Sequence, residues 1–259
     1  MKYITYCAEF NNKRNLAIGG LGHSFCDYIT PYIISKINTS FFFLNNKLVV
    51  FDQNKDFYNM DIESKNDKYF WNNYLNLDKL YNNILVENVK YKNIQHDKAF
   101  GNISLEQIGE LNEANTIYFF TKNNRIYLFD LYQYELLGLI KKNITQNIIN
   151  DLRNIFYQKH LKLNKEKYLI NIYIRRGDLY SHKIKNNINC NFEFNLFQFI
   201  YNKIKIKKKN FNINIISAGI KIQMDELGKY FENYNDVNLL LNQKEEDMFY
   251  LMTQSDLLV

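Results

Sequence analysis

Arginine is scarce in this chain. Of 259 residues, five are Arg (14, 125, 153, 175 and 176) against 28 Lys and 40 Asn, and two of the five stand together in Ile174-Arg175-Arg176-Gly177-Asp178. A guanidinium is always charged and meets phosphate oxygens with two parallel N–H donors, which a lysine ammonium does not. Gly177 permits a turn, and Asp178 is placed to tie down one arginine while its neighbour projects. The same residues would equally form an internal Arg–Asp bridge that shapes a turn, so the motif by itself leaves two readings open. Asp178 and His182 just beyond it are the carboxylate and imidazole that could orient or deprotonate a hydroxyl; the sequence does not choose between them.

These residues need a mount, and the preceding segment supplies one. Tyr168-Leu169-Ile170-Asn171-Ile172-Tyr173-Ile174 reads as a buried strand over 168–175. Side chains alternate along it, so Tyr173 and Arg175 share one face and Ile172, Ile174 and Arg176 the other. Beyond it the pattern predicts helices near 194–208, 222–233 and 245–254, alternating with strands 211–217, 237–241 and 256–259. Strands separated by single helices pair in parallel and bind ligands at their carboxyl ends.

Upstream, Thr145 is expected to cap a helix with apolar residues at Ile148, Ile149, Leu152, Ile155 and Phe156 that ends near His160. This helix and the Lys-rich connector 161–167 mark the domain boundary. Lys2–Cys7 reads as a strand, followed by a glycine turn at 19–22 and a helix to Ile37. Phe41–Phe51 and Thr116–Tyr132 read as strands, with a helical tendency between 67 and 85; Trp71 reads as core rather than as a sugar platform.

Composition removes several classes. With 46% apolar residues, 20 Phe, 21 Tyr, 9 Gly and one Pro, the chain can offset its ordering entropy and is not disordered. Its net charge of +6 suits an anionic ligand but is too diffuse to argue for nucleic acid. The run of lysines at 203, 205, 207, 208 and 209 reads as a solvated helix end that complements the dipole. Three Cys (7, 26, 190) lack metal or CxxC spacing, four His (23, 96, 160, 182) lack ligand spacing, and there is no Asp-x-Asp pair. With no long apolar run and no basic leader, a cytoplasmic protein without a membrane span is expected.

Four segments carry a resemblance. The Gly-Gly-Leu-Gly turn, the strand ending Tyr173-Ile174-Arg175-Arg176-Gly177-Asp178-Leu179, the strand ending Ile215-Ile216-Ser217-Ala218-Gly219, and Glu246-Asp247-Met248-Phe249-Tyr250-Leu251-Met252 resemble, in order, the motif series of the α1,2-fucosyltransferases. More distantly, the chain is similar to the α1,6- and protein O-fucosyltransferases. The resemblance implies an α/β chain of the GT-B type, two Rossmann-like domains facing across a cleft. Residues 1–150 would form the acceptor side and 151–259 a doubly wound domain for the nucleotide sugar. The implied activity is inverting transfer of fucose from GDP-fucose to a galactose-type hydroxyl of a glycan, without metal or further cofactor.

Carried over by residue, Arg175 would hold the β-phosphate, Asp247 would contact the guanine, and Gly20 and Gly22 would line the cleft; His23 would face the cleft or, equally, cap the helix that follows the turn. Tyr173, Arg176 and Ser217 fall in the nucleotide-sugar pocket. The chain departs from the family pattern at Tyr173, where the family has His, and at Ala218-Gly219, where it has an acidic pair. The resemblance also implies a Ser-rich turn and helix after the strand at 256–259, so the last domain is expected to be incomplete. A fragment, an oligomer covering that strand, or a decayed and inactive GT-B-like remnant that binds a glycan or partner would each meet this.

Overall fold

The computed structural model describes residues 1–6, 9–10, 13–14, 21–50, 69–80, 87–94, 103–120, 126–174, 192–207, 210–219 and 221–259. They form an α/β protein of two compact units, the first running to Leu161 and the second beginning at Lys162. The division falls inside the connector that follows the 144–157 helix.

The first unit is organised around strands β1 (Lys2–Tyr6), β4 (Phe41–Leu44), β5 (Lys90–Ile94) and β6 (Thr116–Phe120), in the spatial order β4-β1-β6-β5 and parallel throughout. A separate two-stranded antiparallel pair, β2 (Glu9–Phe10) and β3 (Lys13–Arg14), follows β1. Every residue of β6 is buried, as a strand covered on both faces requires. β5, by contrast, is a mostly exposed edge with the sequence Lys-Tyr-Lys-Asn-Ile. Lysines blunt an edge against further pairing, and they also hide it from a search for apolar alternation. Helix α1 (Leu21–Ile37) packs on β1 and β4, burying Tyr28, Ile29, Ile33 and Ile34.

Two expectations are corrected here. The strand read over Thr116–Tyr132 stops at Phe120, and Leu128–Leu136 is helix α4. Its Phe129, Tyr132 and Tyr134 have strand propensity, but Leu131 alone is fully buried while Phe129 and Tyr132 face outward, so burial of one helical stripe overrides the aromatic content. The strand read over Phe41–Phe51 is only Phe41–Leu44. Shorter elements are α2 (Phe70–Tyr74), a 3₁₀ turn at Leu77–Leu80 and α3 (Leu105–Glu110). Trp71 is buried and meets Phe70 and Tyr74 edge to face.

Helix α5 (Ile144–Tyr157) is capped differently from expectation. Its N-cap is Asn143, at φ 71°, and Thr145 lies one turn position inside, where its N–H donates to Glu135 Oε1 at 2.7 Å. A carboxylate from α4 thus serves the α5 amino terminus. Between them, α4 ends in a Schellman turn: Leu139 N–H reaches Tyr134 O and Gly138 N–H reaches Glu135 O, with Gly138 at φ +69° supplying the left-handed residue such a turn requires. α5 is tied to α1 by Asp151, whose Oδ2 accepts from Tyr32 Oη at 2.5 Å and Lys36 Nζ at 2.9 Å.

The second unit alternates strictly: β7 (Tyr168–Tyr173), α6 (Phe192–Lys207), β8 (Phe211–Ser217), α7 (Lys221–Phe231), β9 (Val237–Leu241), α8 (Glu245–Thr253) and β10 (Leu257–Leu258). Its strands are parallel in the order β10-β7-β8-β9. One face of the sheet (Ile170, Ile172, Ile174, Ile213, Ile215) packs against Phe194, Phe197, Tyr201 and Ile204 of α6 and Met224, Leu227 and Phe231 of α7.

The opposite face carries a row of asparagines in register, Asn171, Asn214 and Asn238. Asn238 Nδ2 donates to Asn214 Oδ1 at 3.1 Å and Asn214 Nδ2 to Asn171 Oδ1 at 2.9 Å, while Asn171 Nδ2 donates to Leu251 O of α8. Asn171 and Asn214 are buried and Asn238 is exposed; the two buried amides are costly unless paired, and they pair in this register, so the row supports the strand alignment and seats α8. Among the described residues no helix is long and apolar enough to cross a membrane.

Candidate functional site

In an open parallel sheet, a crevice forms outside the carboxyl ends of two adjacent strands whose connections run in opposite directions. In the second unit β7 connects through α6 to β8 on one side, whereas β10, reached from β9 through α8, lies on the other. The switch point therefore falls between β7 and β10, at Tyr173-Ile174 and Val259.

The carboxyl edge is braced by side chains. Ser217, fully buried at the end of β8, donates its hydroxyl to Ile174 O at 2.7 Å, and Ile174 N–H donates to Ile216 O at 3.0 Å. On the far side of β7, Tyr173 N–H donates to Val259 O at 2.9 Å. At the end of β9, Asn242 N–H reaches Ser217 O at 2.9 Å, and Asn242 Oδ1 accepts from Gly219 N–H at 2.9 Å. Asn242 sits at φ 51°, a conformation that asparagine tolerates better than other residues with a Cβ. Three successive strand ends are thus joined into one rim, with Ile174 held by β8 and Tyr173 bonded to Val259 on the other side.

The expected site residues fall on this frame as follows. Tyr173 is 43% exposed at the end of β7, while Ile172 and Ile174 are buried in the core face, the alternation read from sequence. Ser217 enters as the brace just described. Asp247 is exposed in the first turn of α8, beside Glu245 and Glu246, where acidic groups complement the positive end of the helix dipole. Arg175 is the residue that follows Ile174; Arg175, Arg176, Asp178 and His182 lie outside the described residues, as does Gly20.

In the first unit, Gly22 and His23 are the second and third residues of α1. A Cβ built on Gly22 meets nothing within 4 Å, so close packing of α1 is not what a glycine serves there.

Sequence reasoning missed Asn242 and the asparagine row. The signal for Asn242 was an Asn directly after a strand, where a left-handed residue ends pairing. The row was hidden because Asn is so abundant in this chain that Asn171 and Asn214 looked like composition rather than design.

The start of α8 presents carboxylates, which accept N–H and O–H donors and repel phosphate, so any phosphate held at the carboxyl edge needs a cation from elsewhere on it. No protein-family model, curated protein or solved structure matches this chain.

Proposed function

We propose that the chain is an inverting glycosyltransferase of the α1,2-fucosyltransferase kind, a GT-B protein that takes fucose from GDP-fucose and passes it to a galactose-type hydroxyl. The observation that carries the reading is the strand order β10-β7-β8-β9, which sets the switch point of the sheet at the end of β7, where the sequence continues Arg175-Arg176-Gly177-Asp178.

On the alternation read from the sequence, Arg175 is expected to share the face of Tyr173 and Arg176 that of Ile174, with Asp178 available to tie down one arginine while the other meets the ligand. Arg175 then grips the diphosphate. As the bond from fucose to the β-phosphate breaks, negative charge collects on the leaving group, and a guanidinium already aimed there is worth more in the transition state than in the ground state. The exposed Asp247, among the acceptors at the start of α8, suits the N–H donors of a guanine edge. Asp178 or His182 orients the acceptor hydroxyl.

The test is titration with GDP. A ligand that binds only the folded state raises the melting temperature with concentration. Arg175→Ala is expected to diminish that response to GDP and to slow transfer by roughly 10²- to 10³-fold. A folded protein with no GDP response sinks the reading. GDP binding without transfer to any acceptor in a panel of galactosides instead assigns the inactive, glycan- or partner-binding alternative.

A further inference from the structure

The first unit contains a second place for an anion, independent of the function proposed above. A hollow of about 390 Å³ opens between the end of α1 and the start of α5, lined by Lys36, Lys141, Lys142, Asp151, Asn147 and Asn150. Its volume is at the small end of ordinary ligand pockets, which suits a small molecule and not a nucleic-acid strand.

Its lining carries three exposed lysines and a single carboxylate. Lys36 is already matched: it bonds Asp151 at 2.9 Å, and the same carboxylate oxygen also accepts from Tyr32. Burial alone would raise the Asp151 carboxyl, but the hydrogen bonds from Tyr32 and Lys36 more than offset it and hold it below the usual range. Asp151 is therefore spoken for, and it fixes the Lys36 ammonium at the wall.

Lys141 and Lys142 form no ion pair among the described residues. They are delivered to the hollow by the connector between α4 and α5, whose course is set by the left-handed Gly138 and by the left-handed Asn143 at the start of α5. Ile144, the first residue of α5, also lines the hollow, but the positive end of that helix is offset by the Glu135 carboxylate on Thr145 N–H, so the field of the hollow comes from the lysines. Three ammonium groups against one carboxylate in a concave site focus a positive potential that a compact polyanion would neutralise.

We infer that this hollow binds a small phosphate-bearing ligand, with Lys141 and Lys142 pairing its oxygens as point charges, Lys36 supporting from the wall, and the Asn147 and Asn150 amides as hydrogen-bond donors. With lysines and no arginine among its described lining residues, it is a site for charge rather than for one bidentate shape.

The experiment uses the full chain and inorganic pyrophosphate at low ionic strength, with binding followed by calorimetry and with lysine acylation mapped by mass spectrometry. Pyrophosphate is expected to protect Lys36, Lys141 and Lys142 from acylation while Lys203, on an exposed helix face, reacts unchanged, and to do so equally in Arg175→Ala. The exposed pair Lys141→Gln/Lys142→Gln is expected to weaken this binding by about tenfold or more without loss of folding. Absence of saturable protection in the wild type overturns the inference. So does binding that survives the lysine substitutions undiminished, or protection that disappears with Arg175→Ala alone.

Discussion

A single buried hydroxyl braces the carboxyl end of β7. Ser217 gives its proton to the Ile174 carbonyl from a position with no access to water, so that carbonyl depends on a protein partner at the point where β7 hands over to Arg175. Removing the donor leaves a buried acceptor unpaired, which costs about 1–3 kcal/mol. Ser217→Ala is therefore expected to lower the urea midpoint by a corresponding amount, and to weaken GDP binding more than its stability cost explains, because the strand end that carries the arginine loses a brace. Unfolding curves and GDP titrations on the same variant separate the two effects. Ser217→Thr, which keeps the hydroxyl, should recover binding before it recovers full stability; a Ser217→Ala protein with wild-type GDP affinity would show that the brace does not position the site.

The helices and strands were legible in the sequence wherever one pattern ruled a segment. β8 and β9 fall at 211–217 and 237–241 as read, and α6, α7 and α8 agree to within a few residues, because apolar periodicity there coincides with the real core face. The reading failed where tertiary context overrode it. α4 carries outward aromatics that mimic a strand, β5 is a lysine edge without alternation, and the cap of α5 is a left-handed Asn with help from Glu135 rather than Thr145. The frame at the carboxyl edge was not legible in the sequence, because Asn242 and the asparagine row act through pairings that only the fold brings together; the arginine motif itself lies outside the described residues.

Elements of the first unit are also joined by a titratable link, and it has a pH signature. Asp151 pins α5 to α1, and its carboxyl is held below the ordinary value of about 3.9 in spite of burial. The folded state thus favours the ionised form. The resulting stabilisation is fully present above the unfolded-state pKa and is lost as pH falls through the lower, folded-state one. Asp151→Asn should consequently flatten the fall in stability between about pH 5 and pH 2 while changing the slope near neutrality little. With 38% of the Asp151 side chain exposed, added salt should shrink the difference. Urea midpoints for both proteins across that range check it, and parallel curves would show that the link carries no stability.

At the scale of the whole molecule, a net charge of +6 made of lysines with only a handful of arginines divides anion binding into two kinds. A general attraction from dispersed lysines is weak, reaches only about 8 Å at physiological salt and sets no stoichiometry. Constructed sites do set one. If the end of β7 and the hollow beside α5 are both constructed, pyrophosphate should bind the wild-type chain at two sites, since on the proposed function it is also the part of GDP that Arg175 would grip. Arg175→Ala and Lys141→Gln/Lys142→Gln should each leave one site, and the combined variant none that saturates. The two sites should also separate by ligand. On the proposed function GDP should compete at the β7 edge with an advantage over pyrophosphate, because the base would add contacts near Asp247, whereas the α5 hollow, whose lysines and asparagine amides meet phosphate oxygens, should show no preference for the nucleoside. Calorimetric stoichiometry for the four proteins, measured with each ligand at two salt concentrations, decides this. A count that stays the same across all four proteins would mean that the dispersed lysines, and neither site, hold the anion.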